Sequence, residues 1–454
     1  MKTINKRVFI IAVLAAVFTA AAVVLVFSIF THAEEYALKT ANNHLFSHGV
    51  LTSGGDIYDK NGEVLSYSKD GERYYSDDKN IRKATLHILG DNSGFISDGI
   101  QSNFKKELSG YSLIFGVNAE DKNSMKLTLD AKLCVTAYNA LEGRKGTVGV
   151  YNYKTGEIIC AVSSPTFDIL NKPGDINSDD TGKYDGIYIN RLFNGLYVPG
   201  STFKTVTALA AVENIGDIFT RTFECTGEYD SGDGKVICND VHGTVTFEEA
   251  LNCSCNSAFA QIAGELGSEK LTAAFEQTGM GKSYDSDRVS TTSSRFKLSE
   301  GISKADLGWA GIGQYTTLIN PYSMMLYMGA IANGGKSVTP YFVDSVSGEK
   351  GNIVYKNEKK DSGINISPST ASTMKTLLRS DVENYYGDYR FGDLTLCGKT
   401  GTAEVGDNKK PHAWFVGFSQ DENFPYAFVA VVENAGGGLA NAGPVIAKVL
   451  SSIE

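Results

Sequence analysis

Three short strings of residues, in a fixed order along the chain, constrain its fold and its chemistry more than any other feature. They are Ser201-Thr-Phe-Lys204, Ser254-Cys-Asn256 and Lys399-Thr-Gly401. In the first string, the spacing places a hydroxyl and an amine on one face of a helix, one turn apart. The other two strings add a second hydroxyl, an amide and a second amine. These are the groups that acyl transfer requires, and we expect the fold to bring them to one site.

Each of these strings is weak evidence by itself. The Ser-x-x-Lys spacing recurs at Ser66, Ser102, Ser294 and Ser372, where we expect no function. Lys154-Thr-Gly156 repeats the third string, but it lies between two strand-like runs. It therefore predicts a hairpin turn with glycine in the left-handed conformation. Only the order and spacing of all three strings together predict an active site.

The N-terminal region predicts a membrane anchor. Residues 8–30 are apolar or small apart from Thr19 and Ser28. A helix of this length can cross a bilayer. Basic residues precede this run and acidic residues follow it: Lys2, Lys6 and Arg7, then Glu34 and Glu35. The asymmetry places the N-terminus in the cytoplasm and the rest of the chain outside. A cleaved signal peptide is the alternative, but the run exceeds the usual apolar core of about 7–15 residues, which favours an uncleaved single-pass anchor.

The length and charge of the chain limit its possible domain organisation and its possible partners. At 454 residues it exceeds one typical domain, and a net charge of −10 argues against binding to nucleic acid. We predict three parts: a cytoplasmic start and transmembrane anchor at residues 1–33, a membrane-proximal non-catalytic module at 34–125, and a main domain at 126–454. The module is polar and is interrupted by glycine and asparagine.

The main domain has helical patterns in one block and strand-like runs at its end. We expect helices at residues 202–214, 247–266 and 321–332, with Ser254 and Asn256 near the middle of the second. Strands are expected at 394–404, 413–418 and 426–433, followed by a last helix at 442–453. This order favours an α+β fold in which helices flank an antiparallel sheet.

The chemistry of the first string depends on the charge of Lys204. A serine hydroxyl is a poor nucleophile until a base takes its proton, and Lys204 can take it from Ser201 only when the amine is neutral. Burial and a nearby positive charge both lower a lysine pKa, and Lys399 is the expected source of that charge. Ser201 at a helix start and the backbone N–H of Thr402 would stabilise the oxyanion, while Gly401 would let an acyl group approach the strand.

The remaining motif residues fit proton relay and substrate binding. Ser254 can carry a proton between Lys204 and a leaving amine, and Asn256 can hydrogen-bond a peptide backbone. Asn256 could equally tie its helix to a neighbour, and Thr400 could be an ordinary strand threonine. Together with Lys399, Thr400 offers a hydroxyl and a charge to a substrate carboxylate.

Seven cysteines leave at least one thiol unpaired in an extracytoplasmic domain. Cys225 and Cys238 flank a Gly/Asp-rich stretch and are the best candidates for a disulfide. Neither a Cys-x-x-Cys nor a paired histidine spacing accompanies them, so we expect no metal site, and we also expect no cofactor. The other cysteines in apolar segments, Cys134, Cys160 and Cys397, are expected to be small core residues.

Together these motifs resemble those of class B penicillin-binding proteins, which are monofunctional peptidoglycan D,D-transpeptidases. The resemblance covers most of residues 53–450. Besides the three strings it includes residues 146–168, Tyr197-Val-Pro-Gly200, Gly311-Ile-Gly-Gln314, Asn333-Gly-Gly335 and Ala413-Trp-Phe-Val-Gly417. One departure is Cys255, which stands where the second motif usually has aspartate. The resemblance implies a transpeptidase domain with the fold of penicillin-binding proteins and serine β-lactamases.

The resemblance also implies a reaction and partners. Ser201 would attack the D-Ala-D-Ala end of a peptidoglycan stem peptide, and the acyl group would pass to an amine of a neighbouring stem. β-Lactam antibiotics would acylate Ser201 and inhibit the enzyme. A SEDS-type (RodA/FtsW-like) glycosyltransferase is the expected membrane partner.

Two other functions stay open at this point. The first is a β-lactamase or a β-lactam sensor; a β-lactamase needs a base that directs water at the ester, and no clear Glu-x-x-x-Asn loop lies between Ser254 and Lys399. The second is a catalytically weak scaffold that regulates a glycosyltransferase, against which the complete set of polar site residues argues.

Overall fold

The computed structural model describes residues 2–39, 46–47, 50–52, 54–91, 94–111, 114, 116–117, 123–406 and 409–453. The α-helices are Lys2–Ala37, Lys79–Leu89, Ile100–Asn103, Lys105–Ser109, Ala131–Ala140, Arg191–Asn194, Lys204–Asn214, Phe247–Asn252, Asn256–Gln277, Lys304–Gly311, Pro321–Ala332, Pro368–Ser380, Gly438–Asn441 and Gly443–Leu450. Short 3-10 turns span Gly200–Phe203, Ile218–Thr220 and Asp388–Arg390, and a π-helical turn spans Asp381–Tyr386.

Two larger sheets and several two-stranded ribbons make up the β-structure. The first larger sheet has the spatial order Leu396–Ala403, His412–Ser419, Tyr426–Val432, Gly146–Asn152 and Ile158–Ser164; the second has the order Ile353–Lys356, Val343–Ser347, Ser124–Leu127, Asp56–Tyr58, Val64–Lys69 and Glu72–Tyr75. The ribbon strands are Phe46–Ser47, Val50–Leu51, Thr222–Cys225, Glu228–Asp230, Lys235–Ile237, Gly243–Thr246, Asp285–Ser286, Val289–Ser290, Lys336–Val338 and Asp361–Asn365.

The five-stranded sheet is antiparallel throughout and forms the centre of the main domain. Its strands read as nearly continuous apolar runs because helices cover both faces. Pro321–Ala332, which is almost wholly buried, packs against one face, and Ala131–Ala140 and Gly443–Leu450 lie against the other. Leu396–Ala403, which we call the Lys399 strand, is an edge strand of this sheet. Within the described residues, one side of its backbone makes no strand pair. The predicted α+β fold with an antiparallel sheet and flanking helices is confirmed.

The six-stranded sheet joins the region after the anchor to the main domain. Strand Asp56–Tyr58 pairs in parallel with Ser124–Leu127, which in turn pairs with Val343–Ser347 from the main domain. The boundary we predicted between residues 125 and 126 falls inside strand Ser124–Leu127. The membrane-proximal segment thus shares a sheet with the main domain, so the two are held together by backbone hydrogen bonds.

The predicted hairpin turn is confirmed. Lys154-Thr-Gly156 lies in the hairpin between strands Gly146–Asn152 and Ile158–Ser164, and Gly156 has a φ of 91°. The N-terminal helix Lys2–Ala37 contains one segment, Asn5–Ala37, that is long and apolar enough to span a membrane, and its apolar window is not buried by the described parts of the chain.

One helix prediction is wrong. We expected continuous helix over residues 247–266, but the structure has helix Phe247–Asn252, a turn, and helix Asn256–Gln277. Ser254 adopts a φ of 57°, which interrupts the helical path. Cys255 then caps the second helix by accepting the N–H of Ala258 at its Sγ, 3.4 Å away. We call residues 253–255 the Ser254 turn.

Candidate active site

Ser201 is held where the chain enters the helix Lys204–Asn214. It lies in the 3-10 turn Gly200–Phe203, partly exposed at the floor of a cleft of about 720 Å³. Gly200 has a φ of 52°, and a Cβ atom there would lie 2.7 Å from the carbonyl oxygen of Thr402. Glycine at this position therefore lets the Ser201 turn pack directly against the Lys399 strand. The indole N–H of Trp414 donates to the carbonyl of Val198 at 3.0 Å and fixes the approach to the turn.

Lys204 connects the first and second strings. Its Nζ atom lies 3.2 Å from Ser201 Oγ, 3.1 Å from Ser254 Oγ and 2.7 Å from Asn256 Oδ1. The carbonyl of Ser254 accepts a further hydrogen bond from the same amine at 2.5 Å. The positive φ of Ser254 turns both its carbonyl and its hydroxyl toward Lys204. A continuous helix, as we predicted, would not present the two groups together.

The Lys204 side chain is completely buried, and this controls its protonation. Burial, followed by the positive charge of Lys399, lowers the pKa of Lys204 from its ordinary value of 10.5 to about 7. These are the two causes expected from the sequence. A substantial fraction of the amine is therefore neutral near pH 7 and can accept the proton of Ser201.

Asn256 bridges the site and a neighbouring hairpin. Its Oδ1 atom accepts the hydrogen bond from Lys204, and its Nδ2 atom donates to the carbonyl of Ile237 at 3.0 Å. The tie to a neighbour that the sequence left open is thus present, and the same side chain also contacts Lys204. Its hydrogen bond to a substrate backbone stays a prediction. Asn256 also lines the cleft beside Ser201 and Ser254.

The third string forms the opposite wall of the cleft. Thr400 and Thr402 line it from the edge strand, whereas Lys399 is fully buried behind them. The sheet therefore places Thr400 and Thr402 in the same cleft as Ser201. The three strings meet in one cleft.

The family model described as the penicillin binding protein transpeptidase domain matches residues 146–451, which is most of the chain. The chain belongs to this family. A peptidoglycan D,D-transpeptidase, PbpA of Mycolicibacterium smegmatis, is 25% identical over 443 residues, covering 88% of this chain and 86% of the relative. The matched region holds all three strings.

Solved structures agree on the fold of this transpeptidase domain. The D,D-transpeptidase domain of a peptidoglycan glycosyltransferase from Eggerthella lenta superposes with a TM-score of 0.76 at 28% identity, covering 88% of this chain and 97% of that one. Penicillin-binding protein A from M. tuberculosis, solved as a ceftriaxone acyl-enzyme complex, has a TM-score of 0.75 at 22% identity, with coverages of 88% and 97%. At that identity the second likeness supports the fold alone.

The transpeptidase site contains two residues that sequence analysis missed. Asp381 lies 3.6 Å from Lys399 Nζ, and the Tyr386 hydroxyl accepts a hydrogen bond from the same amine at 2.9 Å. The N–H and hydroxyl of Thr400 also contact the Tyr386 hydroxyl, at 3.1 and 3.2 Å. Both residues come from the π-helical turn Asp381–Tyr386, for which the sequence carries no recognisable motif. In the sequence they stand in a polar segment, and no feature distinguishes them from their neighbours Glu383 and Tyr385.

Gly401 has a different role from the one we expected. A Cβ atom at this position would lie 2.8 Å from the carbonyl oxygen of Pro199 and 2.9 Å from Thr202 Cγ2. The absent side chain therefore makes room for the segment that carries Ser201, not for an acyl group. Gly401 is buried and does not line the cleft, so its effect on substrate is indirect.

The predicted disulfide between Cys225 and Cys238 is not formed. All seven cysteines of the transpeptidase are free thiols, and Cys134, Cys160 and Cys397 are buried as predicted. Cys225 and Cys238 instead lie beside His242 and Cys255. Sequence spacing did not reveal this cluster because its four residues come from separate elements.

Proposed function

We propose that this chain cross-links peptidoglycan stem peptides through an acyl-enzyme on Ser201. The observation that carries the proposal is the position of the Lys204 amine, which is hydrogen-bonded to the hydroxyls of both Ser201 and Ser254. A single neutral amine can therefore take the proton from the nucleophile, and the second serine can pass it on. Family membership places the chemistry in peptidoglycan synthesis.

In the acylation step, Lys204 accepts the Ser201 proton as Oγ attacks the carbonyl of the penultimate D-Ala. The tetrahedral oxyanion takes hydrogen bonds from the backbone N–H groups of Ser201 and Thr402. Ser254 then relays the proton from Lys204 to the nitrogen of the terminal D-Ala, which leaves. Transfer follows the same path in reverse, with the amine of a second stem peptide giving up its proton and attacking the ester on Ser201.

Substrate binding uses the outer edge of the Lys399 strand. The stem peptide pairs with this edge as an added strand, and its terminal carboxylate meets the hydroxyls of Thr400 and Thr402. Lys399 acts from behind the strand, because its amine is buried against Asp381 and Tyr386. Asn256 holds the peptide backbone from the other wall.

The same geometry favours transfer to an amine over hydrolysis. Within the described residues, no carboxylate is hydrogen-bonded to Ser201, Lys204 or Ser254. A β-lactamase would need such a group to activate water. We therefore expect penicillin to form a long-lived ester on Ser201, in keeping with a β-lactam target.

Membrane attachment completes the proposal. Lys2–Ala37 serves as an uncleaved single-pass anchor, with its N-terminus in the cytoplasm and the catalytic domain outside. The predicted membrane-proximal module, residues 34–125, lies between this anchor and the transpeptidase domain at 126–454, with its first residues in the anchor helix and its last in the shared strand Ser124–Leu127. Through these parts the protein assembles with a SEDS-type glycosyltransferase. Recovery of a shortened protein starting near Glu34 from the culture medium would contradict the anchor.

The deciding experiment is reconstitution on lipid-linked peptidoglycan precursor with a SEDS glycosyltransferase, followed by quantification of muropeptides. Cross-linked dimers that disappear in the Ser201→Ala variant are expected. Hydrolysed tetrapeptide alone would identify a carboxypeptidase. Absence of both products, with penicillin binding intact, would favour the sensor or the scaffold.

A further inference from the structure

The outer edge of the Lys399 strand is occupied along its first half, although no strand of the described chain pairs with it. Arg379, from the preceding helix, donates to the carbonyl of Leu396 at 2.8 Å. Four residues further on, the backbone N–H of Thr400 donates to the hydroxyl of Tyr386 at 3.1 Å. These contacts use the hydrogen-bonding groups that an added strand would need, so a substrate chain cannot pair with this edge before Thr400.

The edge becomes available to a substrate at Thr402. The N–H groups of alternate residues in a strand point to the same edge, so that of Thr402 points outward like that of Thr400. Thr402 also lines the cleft that holds Ser201. Two strand residues span about 7 Å. A peptide whose attacked carbonyl faces the Thr402 N–H therefore has room for a single further residue before its backbone reaches Tyr386.

The hydrogen bonds of the Tyr386 hydroxyl are fixed by its neighbours. Its oxygen accepts from the Lys399 amine at 2.9 Å and from the Thr400 N–H at 3.1 Å. These donors occupy its acceptor positions, so its own proton is shared with the Thr400 hydroxyl, 3.2 Å away. Burial, followed by the negative charge of Asp381, raises the pKa of Tyr386, which keeps that proton in place at neutral pH. The proton of the Thr400 hydroxyl then points into the cleft.

The Tyr386 hydroxyl also connects Thr400 to a buried positive charge. Lys399 is fully buried, whereas Thr400 lines the cleft. Hydrogen bonds in a chain polarise one another, so a hydroxyl that accepts from an ammonium group is a stronger donor to the next oxygen. The chain from Lys399 through Tyr386 to Thr400 therefore ends in a polarised donor, which suits an anion better than a neutral group.

We propose that Tyr386 is a positioning residue that acts through Thr400 to select acyl donors whose end group is a carboxylate. The selected group is a C-terminal carboxylate, one residue beyond the carbonyl that Ser201 attacks. A neutral end group in the same place would gain little from the charge of Lys399. Selection of this kind rests on the proposed acylation of Ser201, but not on transfer to a second stem peptide.

The first test compares benzylpenicillin with its methyl ester on the full chain in detergent. The ester carries the same reactive ring but lacks the anionic carboxylate. In Tyr386→Phe the rate constant for acylation by the acid should fall by about 10–10²-fold, the loss expected for a hydrogen bond to a charged group. The rate with the ester should change much less, so the ratio of the two rates should fall by about tenfold or more. A merely structural role would slow both reactions equally, and an unchanged ratio would overturn the proposal.

The Tyr386→Phe variant keeps the aromatic ring, which packs edge-on against Phe415 with the ring centroids 6.2 Å apart. Thermal unfolding followed by circular dichroism checks that this variant folds. Tyr389→Phe is the matched control, because it removes an exposed hydroxyl from the next turn of the chain. Its acid-to-ester ratio should equal that of the wild-type chain, and a fall as large as in Tyr386→Phe would overturn the proposal.

A double-mutant cycle tests whether Tyr386 acts through Thr400. Thr400→Val removes the hydroxyl that Tyr386 orients but leaves the tyrosine and the backbone N–H in place, and it should lower the same ratio. Adding Tyr386→Phe to Thr400→Val should then have little further effect, because the two side chains form one chain of hydrogen bonds. Losses that multiply in the double variant would overturn the proposal.

Acylation and selectivity are scored separately in these measurements. A wild-type chain that forms no penicillin ester on Ser201 would overturn both the proposed function and the role of Tyr386. Intact acylation with an unchanged acid-to-ester ratio in Tyr386→Phe would overturn the role of Tyr386 alone.

Discussion

Lys399 Nζ lies 3.6 Å from the carboxylate of Asp381, and both side chains are fully buried. Burial tends to lower the pKa of Lys399, but the negative charge of Asp381 and the hydroxyl of Tyr386 outweigh this and raise that pKa above its ordinary value. Burial raises the pKa of Asp381 to about 6, against the opposing effect of Lys399. Above pH 6 the two residues therefore form a buried ion pair, which keeps Lys399 positive next to Lys204.

Asp381→Asn should test this pair. Removing one partner leaves an uncompensated buried charge, so the free energy of unfolding should fall by about 3–5 kcal/mol. Chemical denaturation of the full chain in detergent measures this change. The matched control is Asp217→Asn, which breaks the exposed ion pair with Arg221 and should lower the free energy of unfolding much less, because solvent screens that pair. Equal effects in the two variants would contradict the burial argument.

Ser201→Ala should abolish the penicillin adduct without unfolding the protein. Ser201 is partly exposed at the floor of the cleft, and its hydroxyl contacts Lys204 but supports no core packing. Intact mass spectrometry after incubation with penicillin should show one adduct on the wild-type chain and none on the variant. An adduct that persists in Ser201→Ala, or that maps to another serine, would identify a different nucleophile.

Lys204→Arg and Lys399→Arg should distinguish a lysine that acts as a base from one that acts through its positive charge. A guanidinium stays protonated, so Lys204→Arg should slow penicillin acylation by about 10²–10⁴-fold. Lys399→Arg keeps the positive charge beside Asp381 and should retain more of the rate. The second-order rate constants for acylation compare the two directly, with circular dichroism to check folding. Equal losses in folded variants would show that these roles are assigned wrongly.

The acylation rate should rise with pH through neutrality. Only the neutral Lys204 amine can accept the Ser201 proton, and burial together with Lys399 lowers the pKa of Lys204 to about 7. Below that pH the neutral fraction, and with it the rate, should fall by about tenfold per pH unit. Stopped-flow acylation with a chromogenic β-lactam from pH 5 to 9 gives the profile. A rate that is flat across pH 7 would argue against Lys204 as the base.

Local sequence was sufficient for features that depend on neighbouring residues. The spacing of Ser201 and Lys204 follows from one helical turn, and the hairpin at Lys154-Thr-Gly156 follows from a glycine between two strand-forming runs. The apolar run at residues 8–30 predicts the long N-terminal helix, because a helix that is apolar on every side has no polar face to present to water and is typical of a membrane span. The prediction of a continuous helix around Ser254 failed because the spacing of apolar residues does not reveal a single residue with positive φ.

The sequence by itself determined which groups meet at the candidate active site: two serines, two lysines and an asparagine in a fixed order. Tertiary structure alone decided what surrounds them. Asp381 faces Lys399, and His242 joins three cysteines, only because sheet pairing and helix packing bring distant segments within a few ångströms. Gly401 likewise makes room for Pro199 and not for substrate. Motifs record identity and spacing, whereas charge pairing, clustering of cysteine and histidine side chains, and close backbone contact depend on distances in space that no local pattern contains.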